Sequence, residues 1–330
     1  MRQLTYRDAL NETLGRLLAE DESVFLMGED IGLLGGAFQV TKGLHAKYGS
    51  RRVRNTPISE AAILGAATGA ACTGLKPIAE IMFCDFFYVG MDQLVNQMAK
   101  MKYMYGGKAV LPIVVRTTYG AGLSSAAQHA QSNEAMFLHV AGLKLVMPTT
   151  PADAAGLLRA SATDPNPVLF FEHRCLYDTK GAVPDDCPEI ALGLADVKRA
   201  GDDLTVVATG MMVQRSLAAA DRLAKQGVSI EVIDPRTLNP LDTDCIVTSA
   251  QKTGRVVVVH EAPKTGGIGA EIASAVSEAA FADLKAPVGR ICGKDTPIPF
   301  SPVLERFVVP QVDDIVAGIR NTLEWDGGKQ

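Results

Sequence analysis

Three groups of residues combine types and spacings that could carry chemistry. In NTPISEAAILGAATGAACTGL, Glu60 stands at the start of a helix whose body is mostly alanine and glycine. Small residues let a second backbone or a flat ligand approach closely, and a carboxylate placed there can share one proton with a basic ring nitrogen. The same pattern also suits a plain helix start, with Ser59 as N-cap and Glu60 as a first-turn acid favoured by the dipole. In LMGEDIG, Glu29 and Asp30 follow an apolar strand and precede a glycine-rich loop. The C-terminal ends of strands are where open parallel sheets bind ligands, although a solvated loop acid fits as well. His129 lies in TTYGAGLSSAAQHAQSNEA with Gln128, Gln131 and Ser132 beside it, a setting for proton transfer near neutral pH or for a hydrogen-bonded structural histidine. Met82 lies on a strand ending at Phe83, and Phe86, Phe87 and Tyr88 open the helix that follows. Such a cluster is either ordinary core or an aromatic wall for a planar cofactor.

Other motifs argue less. TGGIGAEIAS follows the strand RVVVVH, but with Gly267 and Gly269 as the first two glycines of a dinucleotide fingerprint, the third position falls on Ile272. Neither a P-loop nor a nucleophile elbow occurs. His139, His173 and His260 have no metal-ligand spacing with another His or Cys. The six cysteines are scattered without a C-x-x-C and read as reduced thiols.

The elements that must position these residues alternate. In the first half, strands are predicted at 24–28, 77–83, 111–117, 144–148 and 167–172, and helices near 5–19, 60–74, 86–103 and 151–163. From Asp178 to about Asp203 the pattern breaks into Gly, Pro and acidic residues. It resumes with strands at 204–210, 228–233, 255–260 and 288–292, and helices near 212–226, 267–281 and 312–324. Short apolar strands alternating with helices define an α/β chain of two domains, 1–190 and 191–330, each a mainly parallel sheet flanked by helices. With 47% hydrophobic residues in 330, the chain can bury a large core. A formal charge of -5 without a basic run excludes a nucleic-acid footprint. No segment is apolar enough over the roughly 20 residues a bilayer needs, and MRQLTYRDALNETL lacks leader-peptide character, so a cytoplasmic protein without membrane contact is expected.

Taken in order, GED at 28–30, GGAFQVTKGL, TPISE, DFFYVGMDQLVNQ, YMYGGKAVLPIVVRTTYGAG, AAQHAQS and DPRTLNPLD resemble the beta subunits of the thiamine-diphosphate-dependent first component of 2-oxo acid and acetoin dehydrogenase complexes. The stretch from Tyr103 to Gly122 looks most like the acetoin type. Branched-chain enzymes usually have Tyr at the position of Phe86 and Gln at that of Met82, although HEAPKTGG is similar to theirs.

The resemblance implies a pyrimidine-binding-type domain followed by a transketolase C-terminal-type domain. It implies thiamine diphosphate shared with an alpha subunit, which would hold the diphosphate and magnesium; the GDG motif for that task is absent from this sequence. Glu60 would hydrogen-bond the pyrimidine N1′, Ile58, Met82 and Phe86 would wall the ring, and Glu29 would join an acidic network beside it. His129 would line the channel of a small-molecule substrate and donate protons, its neighbour Ala130 replacing a more usual serine. A structural potassium ion would be held, mainly by backbone carbonyls, at Ile113, Ser161, Ala162, Asp164 and Asn166. An alpha2beta2 heterotetramer, active only with alpha, would decarboxylate pyruvate or a branched-chain 2-oxo acid, or cleave acetoin, and pass the product to a lipoyl-bearing acyltransferase core. Two other readings stay open: an NAD-binding dehydrogenase subunit using the TGGIGAE turn, and a non-catalytic docking subunit.

Overall fold

A computed structural model describes residues 1–327. Two compact units emerge. The first joins Met1–Tyr119 to Met136–Leu192, and the second joins Gly120–Ala135 to the chain from Gly193 onward. In chain order the elements begin with β1 (Arg2–Thr5), α1 (Tyr6–Glu20), β2 (Val24–Gly28), α2 (Leu44–Tyr48), β3 (Val53–Asn55), α3 (Glu60–Cys72) and β4 (Lys76–Phe83). They continue with α4 (Ala99–Met104), β5 (Val114–Tyr119), α5 (Glu134–Leu138), β6 (Lys144–Val146), α6 (Pro151–Thr163), β7 (Val168–His173) and β8 (Lys180–Val183). Then come β9 (Asp196–Arg199), β10 (Leu204–Ala208), α7 (Met211–Ala224), β11 (Ile230–Asp234), β12 (Thr237–Asn239) and α8 (Thr243–Thr253). The chain finishes with β13 (Val256–Pro263), α9 (Ile268–Ala280), β14 (Gly289–Gly293), α10 (Pro302–Val308) and α11 (Val312–Leu323).

The first unit contributes six parallel strands in the order β6-β7-β5-β4-β2-β3. Every residue of β2, β5 and β7 is buried, as expected of parallel strands covered on both faces. The helices follow local rules. On α1, Tyr6, Ala9, Leu10, Thr13, Leu14, Leu17 and Leu18 form the buried stripe at helical spacing, and Thr5 caps the start by accepting the Asp8 N–H. At α6, Thr150 does the same for the Asp153 N–H at 3.1 Å, and Pro151 fills the first turn. The second unit holds the sheet β14-β13-β10-β11-β9, parallel except for the edge strand β9.

Two segments differ from the sequence reading. The helix expected at 86–103 begins instead as a 3-10 turn over Cys84–Tyr88 and carries a π turn over Gln93–Met98 before α4. The cause lies in its contact with α3: a Cβ on Gly90 would stand 2.4 Å from Leu64 Cδ1, and one on Gly65 3.0 Å from Gln93 Oε1. Close approach governs this segment more than helical periodicity. The broken stretch after Asp178 contains β8, paired antiparallel with β1, and β9, paired antiparallel with β11. These are short, partly exposed strands with charged residues, which suits sheet edges and hides the apolar alternation.

Candidate active site

The carboxyl ends of β2 and β4 and the start of α3 bring acids together in the first unit. Strand β2 ends at Gly28, where a Cβ would stand 2.8 Å from the Glu80 carbonyl oxygen; Glu29 and Asp30 follow, and Asp30 turns the chain with φ +55°. Glu60 is the first residue of α3. Ser59 occupies the N-cap position, but its side chain makes no capping hydrogen bond. Glu29 and Glu60 are each 8% exposed, and among the described residues no side-chain hydrogen bond or ion pair holds either carboxylate. Burial, then the charges of Glu60, Asp30 and Glu80, push the Glu29 carboxyl above the usual carboxylate range.

Beneath these acids runs a network the sequence reading missed. Arg116 on β5 donates from Nη1 to Glu80 on β4 at 2.6 Å, and from Nε and Nη2 to Glu172 on β7 at 2.7 and 2.8 Å. The Tyr177 hydroxyl donates to Glu172 at 2.7 Å. Burial alone would lower the Arg116 pKa, but Glu172 and Glu80 beside it raise it, so the guanidinium stays charged. Burial and the neighbouring Glu172 push the Tyr177 phenol well up, which keeps it a donor. The sequence does carry a signal: PIAEIMF, LPIVVRT and PVLFFE each place one charge inside an apolar strand. All four of Glu29, Glu60, Glu80 and Glu172 are buried, but Arg116 pairs only with Glu80 and Glu172, so the place left beside Glu29 and Glu60 favours a cationic or proton-donating ligand.

Around the acids, Phe86 and Phe83 meet edge to face at 5.8 Å, Phe83 and Phe38 at 5.9 Å, and Phe38 stacks on Tyr177 at 5.3 Å. Met82 is half-buried, and its carbonyl accepts the Thr118 hydroxyl at 2.6 Å. Ile58, by contrast, is 83% exposed, so this chain alone builds no wall with it. The expected cation site is a turn after α6. Ser161 and Ala162 are buried, and the amides that would continue the helix onto their carbonyls are missing: residue 165 is proline, and the Asn166 N–H donates to Asp164 Oδ1 at 2.9 Å. Ile113 joins this place through its carbonyl, which accepts the Val168 N–H at 2.8 Å. Lys144 pairs with the Asp164 carboxylate, and Lys102 donates to Asn166 Oδ1 at 2.8 Å. The Ser161 and Ala162 carbonyls, left without these amides, fit a cation of low charge density, whereas that of Ile113 already has one. Among the described residues, no group of three or more His, Cys, Asp or Glu could hold a metal ion.

His129 belongs to the second unit and is half-buried. Its neighbour Ala130 is 1% exposed within that unit's core, which explains why a small apolar residue serves there. The TGGIGAE turn also lies in this unit, and its glycines have a packing cause. A Cβ on Gly267 would stand 2.5 Å from His260 Cε1, and one on Gly269 2.8 Å from His260 Nε2. They make room for a fully buried imidazole rather than a phosphate. Burial lowers the His260 pKa to about 4 and raises the Cys292 thiol to about 11. The neutral ring therefore donates from Nδ1 to the Ala262 carbonyl at 3.0 Å and accepts the Cys292 S–H at 3.2 Å.

This arrangement defines a class. Residues 2–180 match the transketolase pyrimidine binding domain and residues 193–315 the transketolase C-terminal domain. The chain also has the fold of a solved split-gene transketolase described as an inactive beta4 tetramer, with a TM-score of 0.80 at 24% identity over 97% of this chain and 98% of that one. It is 48% identical to the acetoin:2,6-dichlorophenolindophenol oxidoreductase subunit beta of Bacillus subtilis, over 96% of each chain. It is 44% identical to the 2-oxoisovalerate dehydrogenase subunit beta of the same organism, over 98% of this chain and 100% of that one. The chain belongs to the beta subunits of acetoin and 2-oxo acid dehydrogenases, a family of thiamine-dependent oxidoreductases.

Proposed function

We propose that this chain supplies the pyrimidine side of a thiamine diphosphate site completed by an alpha subunit, which holds the diphosphate and its magnesium. The observation that carries the reading is the pair of buried, unpartnered carboxylates, Glu29 and Glu60, at the end of β2 and the start of α3. A buried acid with neither a cation nor a hydrogen-bond donor is costly unless a ligand satisfies it. The aminopyrimidine ring offers a basic nitrogen that can do so.

When bound, thiamine diphosphate supplies an acidic ring carbon that adds to a carbonyl and an electron sink for the bond broken beside it. Glu60 shares a proton at the pyrimidine N1′, and low surrounding dielectric strengthens that bond. Glu29 adds negative charge that favours the protonated ring. Met82 and Phe86 exclude water from its flat face, and Ile58 completes the wall only once the partner covers it. His129 donates a proton to the substrate oxygen, or to lipoyl sulfur as the acyl unit leaves. The carbonyls of Ile113, Ser161, Ala162, Asp164 and Asn166 hold a potassium ion that fixes the turn between α6 and β7.

The assembled enzyme is an alpha2beta2 heterotetramer that oxidatively cleaves acetoin, or decarboxylates pyruvate or a branched-chain 2-oxo acid, and delivers the product to a lipoyl-bearing acyltransferase core. Identity to the acetoin subunit is the higher of the two reported, which favours acetoin. Among the described residues no helix is long and apolar enough to cross a membrane. All six cysteines are free thiols, which suits the cytoplasm.

Reconstitution with an alpha subunit tests the reading. Glu60→Gln should assemble normally and lose about a hundredfold or more in turnover; turnover within a fewfold of wild type would remove Glu60 from the chemistry. Assays of the same pair with acetoin, pyruvate and 2-oxoisovalerate decide the substrate.

A further inference from the structure

We infer that Glu305, assisted by Glu261, is a positioning residue for His129. The inference rests on the reading of His129 as a proton donor, and its geometry lies wholly within the second unit. Glu305 sits on α10 and is 4% exposed. Its carboxylate accepts the Gly122 N–H at 2.8 Å through Oε1 and the Ser124 N–H at 3.1 Å through Oε2, and among the described residues no cation pairs with it. Glu261, 6% exposed, accepts the N–H of Ala121. Two buried acids are thus directed at one stretch of loop backbone.

The loop is shaped to receive them. Positive φ recurs at every second residue, at Gly120 (+93°), Gly122 (+117°), Ser124 (+52°) and Ala126 (+60°), and such turns gather successive amides into an anion-binding concavity. Here the anion is a side chain of the same chain. Ser124 and Ala126 occupy a region that L residues rarely adopt, so the bonds to Glu305 hold a path the backbone would not choose by itself. The far limb is tied down independently. The Gly120 N–H donates to the Gln131 carbonyl at 3.0 Å, and Ala121 and Ala130 are buried in the core of this unit. His129 immediately precedes the Ala130 anchor, so the carboxylates clamp one limb of a closed loop whose other limb presents the imidazole.

Glutamine at 305 offers one oxygen and turns an NH2 toward an amide, so at most one of the two bonds survives. In the reconstituted alpha–beta enzyme, Glu305→Gln should assemble, lower kcat about tenfold or more with KM little changed, and speed hydrogen exchange at the Gly122 and Ser124 amides. Because it acts through His129, Glu305→Gln combined with His129→Ala should lose no more than His129→Ala alone. Additive losses, or a Glu305→Gln kcat within about twofold of wild type, would overturn the inference while leaving the role of His129 intact. Normal turnover by His129→Ala would instead remove the reading on which it rests, and the inference with it. Should Glu305→Gln fail to fold, Glu305→Asp, charged but one methylene shorter, serves in the same double-mutant comparison with the same outcomes.

Discussion

Glu80 and Glu172 are buried as thoroughly as Glu29 and Glu60, yet the two pairs live in different electrostatic worlds. The first pair shares Arg116 at hydrogen-bonding distance, and Glu172 also accepts from the Tyr177 hydroxyl. The second has no side-chain partner among the described residues and has neighbouring acids close enough to raise the Glu29 pKa. A buried acid with its cation in the same chain serves the fold. One with neither a cation nor a hydrogen-bond donor in the chain is unfinished until a ligand arrives. The second unit adds another closed case, His260, whose ring is satisfied on both nitrogens by Ala262 and Cys292.

The sharpest way to break this distinction is to remove the shared cation. Arg116→Met leaves Glu80 and Glu172 buried without a counter-charge and should cost about 3–5 kcal/mol in denaturant unfolding of the isolated chain. Glu60→Gln in the same assay should cost nothing. Equal losses would erase the contrast.

Next in size is a pH effect at His260. Its folded pKa of about 4 lies below the ordinary 6.5, so the unfolded chain binds more protons between those values. The stability it contributes is fully present above pH 6.5 and is lost as pH falls toward 4, on the order of 3 kcal/mol. His260→Gln should flatten that part of the stability–pH curve, and an unchanged slope would mean that the ring is not held neutral.

The smallest effect belongs to Glu29, with the opposite sign. Its folded pKa is raised, so the folded chain binds the extra proton and stability falls as pH rises through that raised value. Glu29→Gln should make the isolated chain slightly more stable near neutral pH. Adding the alpha subunit and cofactor should reverse the ranking, because the wild-type carboxylate then gains a partner. A thermal-shift series with and without cofactor measures both signs.

Much of the scaffold was legible in sequence. β2, β10, α6 and α11 stand where apolar runs and helix starts put them, because each is governed by neighbours within a few residues. β8, β9 and α8 escaped. The first two are short, polar edge strands. α8, TDCIVTSAQKT, buries Ile246, Ser249, Ala250 and Thr253, a stripe with one large apolar residue, too faint for a periodicity to register. Of the expected site residues, Glu29, Glu60 and Phe86 stand in buried or half-buried surroundings, whereas Ile58 lies in solvent. Ile58 shows the limit, since its surroundings depend on more than its own segment.

What the sequence by itself determined is therefore the alternation of elements, the acids at a strand end and a helix start, and the histidine loop between alanines. These are statements about residues near one another along the chain. Tertiary structure alone decided which charges cancel. Arg116 meets Glu80 and Glu172 across intervals of 36 and 56 residues, and Glu305 reaches Gly122 across 183. Coulomb energy and desolvation depend on distance in space and on what water can reach, and neither quantity exists until the sheets have formed.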